Sequence, residues 1–317
     1  MREKEIGGYF ELETFSGTEY YSNLIPLNNA RNALAYVLKA RKIKKIYLPH
    51  FLCDSVAKIC EREGYLYEKY SIDEKFLPVF EKKLCPGEYL YIVNFYGQIS
   101  NKMLKQLKKK YNNIIFDNVQ AFFQKPLKGI DTIYSCRKFF GVPDGGYLAT
   151  NANPLENLEI DNSKDRTTHL LGRFEENASK YYGDFKKNDS LFVDLDIRYM
   201  SKLTHNILSG IDYKKVKEKR NQNYAILRRA LGKKNELNVL KPDGPYCYPF
   251  YCKNGMQIKK ELANRKIYVP TLWPNVLQLQ DTIEKEYAEN ILPLPCDQRY
   301  GRTEMRRIIA EVEKCLS

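Results

Sequence analysis

The sequence predicts an α/β protein with a large, mostly parallel β-sheet followed by a smaller C-terminal α+β domain. Strand-like apolar runs alternate with amphipathic helical segments from about residue 28 to residue 120, which is typical of a parallel sheet with covering helices. The runs at 88–97 and 113–117 are almost continuously apolar, as buried parallel strands are. The overall composition, 43% hydrophobic and 29% charged, is that of an ordinary globular chain.

Each element of this alternation has its own signal. Residues 28–41, "NNARNALAYVLKAR", place apolar side chains at helical spacing behind two asparagines that are good helix caps. Gly64 ends the next predicted helix. The predicted order is helix 28–41, strand 44–51, helix 53–64, strand 66–73, strand 88–97, helix 101–112 and a strand ending at Asp117.

The character of the chain changes after Thr150. Residues 151–165 are polar and loop-like, and residues 166–235 are mainly helical in pattern. Beyond them we predict a strand near 246–254, a helix at 256–266, a strand at 267–274 and a helix at 303–316. We therefore predict a large domain at 1–205 and a small domain at 206–317.

Composition and charge exclude several classes of function. The net charge of +13 is spread over helix faces, so nucleic-acid binding is the weakest hypothesis, although anionic small molecules suit this charge. No apolar run is long enough to cross a bilayer, and the N-terminus lacks an apolar signal core. Eight cysteines without a C-x-x-C pair and only three histidines predict reduced thiols, a cytoplasmic location and no metal site.

Four stretches could carry chemistry at the carboxyl ends of the strands. They are the loop into a helix in "LNNARNAL", the turn "FYGQ" at 95–98, Asp117 with Gln120 in "IIFDNVQAFF", and Lys138 in "SCRKFFGVPDGGYLAT". Each alone has an ordinary explanation: a capped helix, a turn, a helix cap or a solvated lysine. Together they supply an anion cradle, a strand-end acid and a lysine, which are the groups that pyridoxal 5′-phosphate (PLP) requires.

In the same order, these stretches resemble the DegT-type sugar aminotransferases, which are PLP enzymes of fold type I. "NFYGQ" is similar to the family's His-Leu-Tyr-Gly-Gln, and "DNVQA" to its Asp-x-Ala-Gln/His. "YLPHFLCDSV", "ELANRKIYVPTLWP" and "ILPLPCDQRY" extend the resemblance over most of the chain. In the family a Gly-Gly pair begins seven residues after the lysine, and Gly145-Gly146 has this spacing from Lys138, not from Arg137. The resemblance implies a short, divergent member of this family with the fold of a type I PLP-dependent transferase.

The resemblance implies roles for the matching residues. Asp117 would pair with the protonated ring nitrogen of the cofactor, and Lys138 would bind the cofactor covalently and then carry a proton. At the ring, the resemblance implies that Gln120 contacts the hydroxyl and Phe51 packs against one face. At the phosphate, it implies Ser135 and the backbone of Ala30 and Arg31. The side chain of Asn29 or Arg31 would replace a hydroxyl that the family has there.

The resemblance also implies a homodimer with shared active sites. The segment "DIRYMSKLTHNILSGID" is similar to a family segment that reaches the neighbouring subunit. The candidate substrate or second-subunit residues are Tyr96, Arg137, Arg198, Ser201 and Trp273.

The implied activity is amino transfer from glutamate or glutamine to a nucleotide-linked keto-sugar for cell-surface polysaccharide. The chain departs from the family in being short and in lacking two residues between Ser135 and Lys138. One alternative is a PLP-binding relative with a regulatory or other non-transaminase role. Another is the related dehydratase chemistry, which uses histidine in place of the lysine; Lys138 argues against it.

Overall fold

A computed structural model of the protein describes residues 6–316. Its central feature is an eight-stranded sheet in which five neighbouring strands run parallel. The strands are β1 (Ile25–Leu27), β2 (Lys45–Pro49), β3 (Leu66–Ile72), β4 (Pro78–Val79), β5 (Glu88–Val93), β6 (Ile114–Asp117), β7 (Asp131–Ser135) and β8 (Gly146–Ala149).

The strand order is β1-β8-β7-β6-β5-β2-β3-β4, and the antiparallel pairs lie at the two edges. After β2, the chain places β3 on one side of β2 and then, by way of β4, places β5 on the other side. Open α/β sheets bind ligands at such a reversal, outside the carboxyl ends of the strands. The predicted parallel sheet is therefore present, and its strands end where the candidate residues lie.

Helices cover the sheet and recur throughout the second half of the chain. The first, α1, packs against β7 and β8 and buries its apolar face in the main core. The helices are α1 (Ala30–Ala40), α2 (Asp54–Arg62), α3 (Asn101–Tyr111), α4 (Thr168–Glu175), α5 (Tyr182–Leu191), α6 (Lys202–Ser209), α7 (Tyr213–Leu231), α8 (Gly255–Asn264), α9 (Ile283–Asn290) and α10 (Arg302–Leu316). Within residues 6–316 no helix has the length and apolarity needed to span a bilayer.

The C-terminal part has its own small core. A two-stranded antiparallel sheet, β9 (Cys247–Tyr251) and β10 (Ile291–Pro295), packs with α7, α8 and α10 around buried apolar side chains. The predicted boundary between residues 205 and 206 falls inside α6, and the division of the chain into these two domains stays a prediction.

One predicted element is wrong. Residues 267–274, "IYVPTLWP", form no strand; α8 is followed by irregular chain and then by a short 3-10 helix at Pro274–Gln278. Pro270 and Pro274 lack the N–H groups that a sheet ladder needs. The apolar run instead packs through Ile267 and Trp273 into the cores.

Candidate active site

A cavity of about 1780 Å³ opens at the carboxyl ends of β5, β6 and β7. It exceeds the roughly 300–1,000 Å³ of a typical small-molecule site, so it has room for more than one ligand. Its walls come from both halves of the chain, with residues of α1 on one side and β9 and β10 on the other. The predicted site residues that line it are Asn29, Ala30, Arg31, Asp117, Ser135, Arg137, Lys138 and Trp273.

Asp117 is the last residue of β6 and is almost wholly buried. Its carboxylate accepts hydrogen bonds from the hydroxyl of Tyr91 at 2.6 Å and from the backbone N–H of Val119 at 2.9 Å. Burial raises the pKa of Asp117, while the positive charge of Lys138 and these two hydrogen bonds oppose the rise. A carboxylate has about four acceptor positions, so Asp117 keeps capacity for a further donor from the cavity.

Lys138 lies in the turn after β7, and its side chain is exposed in the cavity. Within residues 6–316 its amine makes no hydrogen bond or ion pair, although its charge acts on Asp117. The neighbouring Arg137 also lines the cavity, but its guanidinium group donates to Asp189 and packs against the ring of Phe192. Of these two adjacent cations, Arg137 is therefore already hydrogen-bonded, and the amine of Lys138 is available for reaction.

The Gly-Gly turn lies against the loop that leads into α1. Gly145 has φ of +107° and donates its N–H to the carbonyl of Asn28 at 2.6 Å. A Cβ on Gly146 would lie 2.9 Å from the backbone nitrogen of Ala30 and 2.8 Å from the carbonyl oxygen of Tyr134. Only glycine permits this close approach, so β8 fixes the α1 loop beside the end of β7.

Asp144, directly before the glycines, joins this turn to α6. Its fully buried carboxylate accepts from the N–H of Ser201 at 3.0 Å, from the Ser201 hydroxyl at 2.9 Å and from the Thr204 hydroxyl. Burial raises the pKa of Asp144, and these hydrogen bonds oppose the rise. The acid before the Gly-Gly pair therefore has a structural role in this chain.

The N-terminus of α1 offers free donors to the cavity. The Asn29 side chain caps the helix by accepting from the N–H of Asn32 at 2.8 Å. The N–H groups of Ala30 and Arg31 and the hydroxyl of Ser135 have no hydrogen-bond partner within residues 6–316. Unpaired N–H groups at a helix start and a nearby hydroxyl suit an anion such as phosphate.

Three of the predicted residues lie behind the cavity wall instead of lining it. Gln120 accepts from the N–H of Tyr96 at 2.7 Å, and the Gln120 side-chain nitrogen and the Tyr96 hydroxyl are buried without a partner in the described chain. Phe51 is fully buried against Phe95 and Trp273. The residues that follow Phe51, Leu52 and Cys53, reach the cavity in its place.

The two candidates for a contact with a second subunit lie away from the cavity. Arg198 is about one-third exposed and approaches Glu159 at 3.5 Å. Ser201 is buried, caps α6 and shares a hydrogen bond with Ser163 at 2.7 Å, in addition to its contacts with Asp144. The roles of these residues and of Trp273 toward a substrate or partner stay predictions.

Sequence reasoning missed two residues that the structure places in the site. Tyr91, on β5, supplies the hydroxyl that binds Asp117, and a tyrosine in the middle of a buried strand is a signal that could have found it. Asp189, on α5, binds both Arg31 and Arg137. Nothing in its sequence surroundings distinguishes Asp189 from an ordinary surface acid.

Solved structures with a similar architecture include several aminotransferases. S. venezuelae DesV, solved in complex with a ketimine intermediate, shares 16% identity over 92% of this chain and 84% of its own, with a TM-score of 0.64. Helicobacter pylori PseC, an aminotransferase of pseudoaminic acid biosynthesis, shares 17% over 91% and 85%, with a TM-score of 0.58. The PLP form of Spr1654, a putative sugar aminotransferase from Streptococcus pneumoniae, shares 14% over 96% and 93%, with a TM-score of 0.60.

These similarities establish the class of fold. The chain has the fold of the type I PLP-dependent aminotransferases, as the sequence predicted, and the resemblance to the DegT-type proteins is confirmed at the level of fold. No family model matches the sequence, and no curated protein sequence matches it. What the chain does must therefore be argued from its own site.

Proposed function

We propose that this protein is a PLP-dependent aminotransferase that moves an amino group from glutamate or glutamine to a keto-sugar. The observation that carries the proposal is that Asp117, Ser135, Lys138 and the free N-terminus of α1 all line one cavity. PLP needs an acid, an anion cradle and a reactive lysine. This chain supplies all three on a fold that its structural neighbours use for the same cofactor.

The residues present fit the cofactor. Asp117 is buried, ionisable and has unused acceptor capacity, as a partner for a protonated ring nitrogen must. The N–H groups of Ala30 and Arg31 and the Ser135 hydroxyl would hold the phosphate. The unpartnered side-chain nitrogen of Gln120 is buried, but it lies behind the cavity wall, so a contact with the ring hydroxyl would require the side chain or the wall to move.

Three groups of this chain would perform the chemistry. When bound, the cofactor would supply an electron-withdrawing ring that stabilises negative charge on the substrate carbon. The Lys138 amine would hold the cofactor covalently and, when released by the incoming donor, would take the proton from the amine-bearing carbon. Asp117 would keep the ring nitrogen protonated, and Tyr91 would fix the carboxylate in place.

The finer parts of the proposal concern the acceptor and the assembly. A nucleotide-linked sugar suits the size of the cavity and its cationic side chains, which include Lys164 and Arg173 beyond the cofactor residues. Exposed apolar side chains near the mouth, such as Phe174 and Tyr182, support a homodimer with shared sites. We place the enzyme in the cytoplasm, in a route to cell-surface polysaccharide.

Reductive trapping tests the cofactor assignment. The protein is incubated with PLP, its absorbance above 400 nm is recorded, and borohydride is added before digestion with trypsin. Trypsin cuts after Arg137 but not after a modified lysine, so the modified peptide should begin at Lys138 and end at Lys164. In Lys138→Ala the modification should be absent while the circular dichroism spectrum is unchanged.

The second stage separates catalysis from binding alone. Glutamate or glutamine added before borohydride should convert the bound cofactor to an amino form that borohydride no longer fixes to Lys138. A nucleotide-linked keto-sugar added after the donor, and still before borohydride, should restore fixation at Lys138. A protein that stays colourless with PLP, or one modified equally at other lysines, contradicts the proposal. A protein that carries PLP on Lys138 but never transfers an amino group favours the regulatory alternative.

A further inference from the structure

We propose that Asp189 is a positioning residue that holds Arg31 and Arg137 together as a two-arginine receptor for the phosphate group of the cofactor. The inference rests on the proposed function, because it concerns the ligand of the same cavity. It assigns a role to Asp189 and to Arg137, which neither the resemblance nor the comparisons explain.

The geometry joins three segments that are far apart in sequence. One carboxylate oxygen of Asp189 accepts from Arg31 at 3.1 Å, and the other accepts from Arg137 at 3.0 Å. The backbone carbonyl of Asp189 accepts a second hydrogen bond from Arg31 at 3.0 Å. A single residue of α5 therefore fixes one arginine from the start of α1 and one from the turn that carries Lys138.

Charge explains why a shared carboxylate is needed. Two guanidinium groups repel each other, and burial of Arg137 against the ring of Phe192, 4.3 Å away, lowers the pKa of Arg137. Asp189 opposes that effect, and the two arginines lower the pKa of Asp189. The cluster keeps a net charge of +1.

Donors remain for a ligand. A guanidinium group has five N–H donors, of which the contacts with Asp189 use two in Arg31 and one in Arg137. Both arginines line the cavity, as do Ser135 and Ala30 at the proposed phosphate end. Arginine forks bind phosphate through paired hydrogen bonds when their orientation is fixed, and Asp189 supplies that fixation.

A comparison of PLP with pyridoxal measures the contribution of the phosphate directly. Pyridoxal carries the same ring and aldehyde without the phosphate group, and binding of each is followed by absorbance. In Asp189→Ala the affinity for PLP should fall about tenfold or more, because charge-assisted hydrogen bonds to the phosphate lose their orientation. The affinity for pyridoxal should stay within about twofold of the wild-type value. Asp184→Ala removes the same charge from the same helix without an arginine hydrogen bond and should leave the ratio of the two affinities unchanged.

A second variant covers the case in which Asp189→Ala does not fold. Arg137→Lys keeps the charge but loses the planar fork, and it should also lower the affinity for PLP relative to pyridoxal. The inference is overturned if Asp189→Ala binds PLP more tightly, which would make Asp189 a competitor of phosphate, or if both ligands weaken equally. A third outcome separates this inference from the proposed function. If the wild type traps PLP on Lys138 but every variant has the same ratio of PLP to pyridoxal affinity, the inference is refuted and the proposed function stands.

Discussion

Two regions meet at the cavity and are held in place differently: the strand-end segment, residues 117–146, and the connecting segment, residues 151–212. The strand-end segment carries Asp117, Ser135 and Lys138 on or directly after β6 and β7, where strand pairing fixes their positions. The connecting segment contains the short helices α4, α5 and α6 and a 3-10 helix at Lys164–Arg166, and side chains of these helices, including Asp189, line the cavity. The sheet thus places the reactive groups, while the helices supply charge partners.

The two regions also differ in how they bury apolar side chains. Phe122, Phe139 and Phe140 of the strand-end segment are packed into an aromatic core. On the connecting segment Phe174 and Tyr182 remain 86% and 55% exposed. Phe174 and Tyr182 both line the cavity, so this exposed apolar surface is where a second subunit of the proposed dimer would pack.

The largest expected effect comes from the strand-end segment alone. Asp117→Asn should lower the rate of amino transfer by about 10- to 100-fold, since a neutral amide cannot stabilise a protonated ring nitrogen as a carboxylate does. Trapping at Lys138 should persist. The rate is measured with glutamate in single-turnover experiments.

Tyr91→Phe is the matched variant for Asp117→Asn, because it removes only the hydroxyl that binds the carboxylate. Its effect on the rate should be smaller than that of Asp117→Asn. Equal rates in Asp117→Asn and the wild type would show that the strand-end acid does not act on the cofactor.

The next effect concerns the joint between the two regions. In Asp144→Asn the new amide group would face the N–H of Ser201, and the charge that holds the start of α6 would be lost. The free energy of unfolding should fall by about 2–4 kcal/mol, as for other buried charged hydrogen bonds. Urea denaturation measures it, with the exposed Asp165→Asn as a control that should change little. An unchanged midpoint would mean that the two regions are joined by packing alone.

The smallest effect depends on pH and concerns two histidines of the connecting segment. His205 on α6 faces the carboxylate of Glu19 at 2.6 Å, and Glu19 also accepts from the hydroxyl of Tyr147. The hydrogen bond with Glu19 raises the pKa of His205, with a further contribution from the charge of Asp144. The resulting stability is present below the unfolded pKa of about 6.5 and is lost as the pH rises through the higher folded pKa.

His205→Gln should therefore be less stable than the wild type near pH 6 and equal to it at alkaline pH. The side chain of His205 is partly exposed, so the difference should stay under about 1 kcal/mol.

His169 on α4 is the opposite case, since burial and the nearby Arg137 lower the pKa of His169. His169→Gln should gain stability relative to the wild type as the pH falls below about 6.5. Thermal unfolding of the wild type and both variants across this pH range measures these differences. The assignment is wrong if lowering the pH changes the stability of both variants, relative to the wild type, in the same direction.

Much of the fold could be predicted because its signals are local. The apolar runs that became β5 and β6, and the capped helix that became α1, were predicted from residues next to one another in sequence. The predicted strand at 267–274 is absent because Pro270 and Pro274 have no N–H to donate to a sheet, although the run is apolar. The edge strands β1 and β4 are three and two residues long, too short to show a period.

The sequence by itself determined that Asp117 stands at a strand end, because it follows an apolar strand, and the family resemblance, through the spacing to Gly145-Gly146, distinguished Lys138 from Arg137. Only the tertiary structure decided what those residues contact. Asp189 lies 52 positions from Arg137 and 158 from Arg31, and Phe51, expected against a ligand, lies in the core. Local patterns fix the spacing along a strand or helix, whereas pairing between distant segments depends on how every layer of the protein packs.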